Sequence, residues 1–192
     1  MTTNNMKKMW EGVSITNIDE FVSKMKSEDA NNLRIAKTMY IIYFVGIFLY
    51  SGLFVRSIIA GEGLWDAISW FLMVLGFVAF TLIFWMSKSI YKKVDYSVSV
   101  MEMLRQAKTR YKFWHPMVWP AILGYYFVAT GASISMTSDL DSTWNMLERL
   151  GAANLFFTPV FLISFFFGWK RWQKRSKPIC DYASEVLMDA EK

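Results

Sequence analysis

Residues 67–86 read AISWFLMVLGFVAFTLIFWM, an apolar and aromatic run without a single Asp, Glu, Lys or Arg. A helix of about twenty such residues covers the roughly 30 Å of hydrocarbon in a bilayer. Backbone N–H and C=O groups in hydrocarbon have to be paired within the segment, so the run predicts a transmembrane helix. A strand of a membrane β-barrel would instead alternate in polarity over about ten residues, and this run does not.

Three further runs have the same character, and none of the four carries an acidic or basic residue in its interior. The sequence therefore predicts an all-α fold, an integral membrane four-helix bundle with amphipathic cytosolic helices. The sequence predicts three parts: a cytosolic N-terminal amphipathic segment 1–37, a transmembrane domain 38–169, and a cytosolic basic and amphipathic C-terminal helix 170–192. Within the transmembrane domain the predicted spans are about 38–55, 67–86, 113–136 and 152–169. A cytosolic helical loop, 87–112, joins the second span to the third.

The positive charges indicate how these spans are oriented. Of the 21 Lys and Arg, nineteen lie before the first run, between the second and third, or after the fourth, and only Arg56 and Arg149 lie in the other two loops. Lys and Arg next to a span resist translocation, so both termini are predicted to be cytosolic in a multi-pass protein of the inner (cytoplasmic) membrane. The net charge of +5 then reflects orientation and contact with anionic lipid, and nucleic acid is not an expected partner.

Three segments outside the apolar runs are amphipathic at helical spacing. In the N-terminal segment Ile18, Phe21, Val22 and Met25 recur three and four residues apart, which places them on one helix face. The central and C-terminal segments have the same periodicity. Such a helix beside a membrane lies in the lipid interface, packs against another helix, or offers its apolar face to a protein partner. The residues predicted to form this candidate partner surface are Val94, Val98, Met101, Leu104, Tyr182 and Val186.

Small residues within the spans predict where helices approach each other. In lipid, van der Waals packing drives helix association, and small side chains let the backbones come close. This pattern fits contacts within one bundle and also the face of a homo-oligomer. The candidate helix-packing residues are Gly46, Gly52, Ala129, Gly131, Ser133 and Ser135.

The sequence contains few residues in patterns that indicate catalysis or metal binding. His115, the only histidine, lies at the inside end of the third span beside Pro116, which suits either an interfacial residue or a pH-sensitive one. A zinc site needs three or four ligands from Cys, His or carboxylates, and no such spacing is present. Cys180 is the only cysteine, which excludes an intrachain disulfide. With no nucleophile–base set and no Gly-rich phosphate loop, we expect no catalytic residue, no cofactor and no metal.

Four segments carry a resemblance to a known family. They are Met6-Lys-Lys-Met-Trp10, the stretch from Tyr96 to Arg105, the stretch from Thr109 to Trp114, and Lys170-Arg-Trp-Gln-Lys-Arg175. In this order they resemble small four-span inner-membrane proteins of unknown function from Bacteroidota, often encoded near sigma-factor-like regulators. The resemblance implies a four-span fold and a regulatory role, and it brings no catalytic residues. This chain carries no recognisable anti-sigma zinc motif.

These observations favour a polytopic membrane scaffold or regulatory subunit that presents cytosolic amphipathic helices to a partner or to the membrane surface. The alternative is a small transporter or oligomeric channel, with polar residues such as Tyr125 and Thr130 lining the path. A third hypothesis is a lipid-modifying enzyme acting near His115. The expected partners are membrane lipid, a cytosolic protein and further copies of the chain.

Overall fold

A computed structural model describes residues 18–114, 118–138 and 145–190 of the 192-residue chain. The segment before residue 18 and His115 lie outside the described residues. Six helices and no strand are found in the described part, so the prediction of an all-α fold is confirmed. The helices are α1 (Ile18–Ala60), α2 (Leu64–Lys92), α3 (Val100–Arg110), α4 (Val118–Ser138), α5 (Met146–Arg175) and α6 (Lys177–Ala190).

Helix α1 continues through the predicted boundary at residue 37 and ends only at Ala60. A Lys24–Glu20 ion pair of 2.6 Å, four residues apart, supports its first part. The helix stops where the chain reaches Gly61 and Gly63, whose φ angles of 67° and 115° favour glycine. Helix α2 starts directly afterwards at Leu64.

The central segment is divided into the end of α2, a turn and the short helix α3. Ser99 caps α3, because its side chain accepts a hydrogen bond from the backbone N–H of Glu102 at 3.4 Å. The start of α5 carries a reciprocal capping pair. The backbone N–H of Asn145 donates to Glu148 at 2.9 Å, and that of Glu148 donates to the Asn145 side chain at 3.0 Å. These local signals fix where both helices begin.

Among the described residues, two helices are long and apolar enough to cross a membrane, α1 and α2. Membrane association through these two helices is therefore supported. The remaining two spans and the orientation of the termini stay predictions.

The chain divides into two compact units. We call the first the amphipathic unit; it comprises the described residues of Met1–Asn32, Lys93–His115 and Phe165–Lys192. The second, the span unit, comprises those of Leu33–Lys92 and Pro116–Ser164. In the amphipathic unit α3 packs against α6, and in the span unit α2 packs along α4.

Small residues bring α2 and α4 into close contact. A Cβ atom added to Gly131 would stand 2.6 Å from the Ser69 carbonyl oxygen, and one added to Gly76 would stand 2.8 Å from that of Gly124. The buried hydroxyl of Ser69 donates to the Asp66 carbonyl at 2.7 Å, and that of Ser133 donates to the Ala129 carbonyl at 2.6 Å. Both hydroxyl groups are thus hydrogen-bonded within their own helices.

Candidate functional site

The amphipathic faces of α1, α3 and α6 meet in one apolar core. Residues at spacings of three and four along each helix supply it, as expected for the buried stripe of an amphipathic helix. The buried members are Phe21, Met25, Met103, Leu104, Ala107, Tyr111, Ile179, Ala183 and Leu187.

The residues predicted as a partner surface belong to this packing. Leu104 is 1% exposed and forms part of the core. Four others are partly buried and pack against the core, and Val94 is half-buried in the turn before α3. Of the three arrangements predicted for these amphipathic helices, the described residues adopt mutual packing. The four packed residues are Val98, Met101, Tyr182 and Val186.

A buried carboxylate ties α1 to the turn and to α3. Asp29, 3% exposed, accepts hydrogen bonds from the Tyr96 hydroxyl and the Arg110 guanidinium, each at 2.9 Å, and from the Tyr111 hydroxyl. The Arg110 side chain is itself only 8% exposed. Two charges removed from water need such partners to offset their desolvation. The cluster therefore fixes how α1 docks on α3.

Tyr96 stays protonated in this cluster. Burial, followed by the hydrogen bond to Asp29, raises the pKa of Tyr96 above its usual value. A tyrosinate would place a second negative charge beside the carboxylate. Tyr96 is consequently a hydrogen-bond donor at neutral pH.

Two further contacts hold α5 and α6 to α3. The Trp172 indole N–H donates to the Tyr111 carbonyl at 2.8 Å, and the Cys180 thiol lies 3.6 Å from the Lys108 carbonyl. Burial raises the pKa of the Cys180 thiol. Since the thiolate is the reactive species, Cys180 is a weak nucleophile here.

The end of α5 presents basic side chains around one amide. With the Asn31 amide oxygen turned toward them, the guanidinium groups of Arg171 and Arg175 donate to it at 2.9 and 3.1 Å. Arg175 also lies 3.7 Å from the Glu28 carboxylate. The Lys170 ammonium lies 4.9 Å from the centre of the Phe166 ring.

The predicted helix-packing residues lie in the span unit. Ala129 and Ser133 are buried, Ser135 is half-buried, and Gly131 faces α2. Gly46 lies against the Phe77 ring, whereas a Cβ added to Gly52 would have nothing within 4 Å. No group of three or more His, Cys, Asp or Glu suited to a metal ion occurs in the described ranges.

The sequence interpretation missed Asp29 and Asn31. Asp29 follows Phe21 and Met25 at intervals of four residues and so shares their helix face. A carboxylate on an otherwise apolar stripe signals a buried partner.

Comparisons with protein-family models, with curated protein sequences and with solved structures found no match. The case for a function therefore rests on the chain's own residues.

Proposed function

We propose that this chain is a multi-pass protein of the inner membrane that acts as a scaffold or regulatory subunit. In this proposal the four runs 38–55, 67–86, 113–136 and 152–169 span the bilayer as a four-helix bundle, and both termini are cytosolic. The amphipathic unit is the working part, and it offers its polar outer surface to a cytosolic protein. The resemblance to four-span inner-membrane proteins from Bacteroidota is compatible with this role.

A contrast in burial carries the proposal. The inside helices bury their apolar faces among themselves, whereas the helices of the spans leave theirs exposed. Only 6% of the most apolar stretch of α1 is buried, and 22% of that of α2, although a core helix of a soluble protein would be largely buried. Exposed apolar surface on this scale indicates lipid contact.

Exposed apolar side chains on α5 support the proposal of a fourth span. Leu155 is 78% exposed and Phe167 is 66% exposed. Further large apolar side chains between them are exposed as well, on several sides of the helix. A helix that is apolar all round suits a membrane span. The exposed set includes Phe156, Val160, Leu162, Ile163, Phe165 and Phe166.

The outer side of the amphipathic unit suits a protein partner of mixed charge. Helix α3 exposes Glu102, Arg105 and Lys108, and α6 exposes Glu185 and Met188. The exposed side chains of α3 and α6 thus include acidic, basic and apolar groups. Complementary charges on a protein partner would provide specificity at such a surface.

Photo-crosslinking in intact cells tests the scaffold. A photoreactive residue at Arg105 or at Met188, both exposed, is expected to give an adduct with one defined protein. The same residue at the neighbouring position Leu187, which is buried, is the matched control and is expected to give only adducts within the chain. Adducts confined to lipid and to the chain itself at all three positions would contradict the scaffold.

One observation favours the second candidate, a small transporter or oligomeric channel. The Tyr125 hydroxyl of α4 is buried without a hydrogen-bond partner among the described residues, and such a group costs free energy unless a polar ligand meets it. Flux through liposomes containing the full chain tests this. Flux that Tyr125→Phe alters would favour transport, and the absence of flux would leave the scaffold as the better account.

A further inference from the structure

The basic end of α5 is an organised cluster. Lys170 and Lys174 lie four residues apart, as do Arg171 and Arg175, so each pair shares a helix face. With its amide oxygen turned toward them, Asn31 accepts a hydrogen bond from each of the two guanidinium groups. A guanidinium has five N–H donors in a planar fork, so most of the donors of both arginines remain for another acceptor.

The cluster has few acidic neighbours in the part of the chain that the structure describes. Glu28 lies 3.7 Å from Arg175. Among the residues that the structure describes, no acidic side chain lies within 4 Å of Lys170, Arg171 or Lys174. Within the described ranges these three positive charges have no ion-pair partner, and an anion beside them would be stabilised.

The position of the basic cluster along the chain indicates which kind of anion it binds. The cluster directly follows the apolar run 152–169, and the Lys170 ammonium reaches back over the Phe166 ring, which lies within that run. Four to eight Lys and Arg directly on the cytosolic side of a span are typical of sites for anionic lipid headgroups. The fork of an arginine also matches phosphate oxygens in geometry.

We propose that Lys170, Arg171, Lys174 and Arg175 bind the phosphate of an anionic phospholipid, with Asn31 as the positioning residue that holds the two guanidinium groups together. This site rests on the proposed membrane function, because it requires the run 152–169 to span the bilayer. It adds a ligand class to that function. Binding there would link lipid composition to the amphipathic unit through the contacts of Asn31 and Glu28 with α5.

The test uses the full chain in nanodiscs of phosphatidylcholine with a minor share of labelled phosphatidylglycerol. Each Lys or Arg near an anionic surface contributes about fivefold in affinity, so Arg171→Gln with Arg175→Gln should weaken retention of phosphatidylglycerol by roughly thirtyfold. The matched control is Arg105→Gln with Lys108→Gln, which removes two exposed cations from α3 and should leave retention unchanged. Equal losses in the two double variants would overturn the site.

Two further measurements distinguish a specific lipid-binding site from general electrostatic attraction of anionic lipid. Asn31→Ala keeps every charge and removes the acceptor that Arg171 and Arg175 share. Retention of phosphatidylglycerol should therefore fall by about fivefold, which corresponds to the loss of one hydrogen-bonded contact. Unchanged retention in Asn31→Ala would overturn the role of Asn31. Inorganic phosphate is the competitor: little displacement at equal concentration supports the lipid headgroup, and full displacement would identify free phosphate as the ligand and overturn the proposal.

Resistance of the same chain to alkaline carbonate extraction is measured alongside. An extracted chain would contradict the proposed membrane function. A chain that stays inserted and retains both lipids equally would contradict the lipid site alone.

Discussion

Asp29→Ala is expected to destabilise the amphipathic unit by about 3–5 kcal/mol. The substitution removes the acceptor of three hydrogen bonds and leaves the guanidinium of Arg110, 8% exposed, without its counterion. Breaking a buried pair on one side costs far more than an ordinary surface substitution. Hydrogen exchange of the α3 and α6 backbone amides in detergent measures the loss, which should appear as faster exchange at Leu104 and Ala183.

Two controls separate this effect from general loss of charge. Glu185→Ala removes an exposed carboxylate from α6 and should change stability by no more than about 0.5 kcal/mol. Asp29→Leu combined with Arg110→Met leaves no unpaired buried charge and should recover part of the loss, because the Tyr96 and Tyr111 hydroxyls still lose their acceptor. If Asp29→Ala exchanges no faster than Glu185→Ala, the buried cluster does not hold α1 to α3.

Gly131→Ala is expected to destabilise the span unit, whereas the same substitution at Gly52 is not. The new Cβ at residue 131 would stand 2.6 Å from the Ser69 carbonyl oxygen and 3.2 Å from the Met73 backbone nitrogen. Backbone atoms cannot swing aside, so α2 and α4 must move apart. Overpacking of this kind costs about 1–3 kcal/mol.

The control substitution, Gly52→Ala, is expected to change stability in the opposite direction. Gly52 lies in α1 with nothing within 4 Å of an added Cβ, and alanine favours a helix over glycine by about 1 kcal/mol. Gly52→Ala should therefore raise the denaturation midpoint in detergent, and Gly131→Ala should lower it. A shift in the same direction for both variants would contradict the close packing of α2 and α4.

The sequence predicted the helices better than their boundaries. Apolar runs without charge and stripes at helical spacing were sufficient for an all-α fold. The prediction ended the N-terminal segment at Lys37, yet α1 continues through it. Charge at the edge of a span marks the limit of the hydrocarbon, and it does not end a helix; Gly61 and Gly63 do.

The candidate site was harder to predict, because its residues meet only through the fold. Asp29 pairs with Arg110, 81 residues away, and no local pattern names that partner. Likewise the stripe of α3 was expected through Met101 and Leu104, whereas Met103 and Ala107 are also buried. Which side of an amphipathic helix is covered depends on the neighbouring helices, here α1 and α6. The basic end of α5 was visible in the sequence, but Asn31 beside it was not.

In the proposed topology the chain crosses the membrane with the α1–α2 turn outside and the α2–α3 turn in the cytosol. Single cysteines at Glu62 and at Ser97, both exposed, report on these turns in a Cys180→Ala background. Cys180 itself is unsuitable, because burial raises the pKa of its thiol.

Labelling these two variants with a membrane-impermeant maleimide in intact cells tests the claim most directly. The account predicts that Glu62→Cys reacts in intact cells and that Ser97→Cys reacts only after the cells are permeabilised. Reaction of Ser97→Cys in intact cells, or failure of Glu62→Cys to react until permeabilisation, would contradict it.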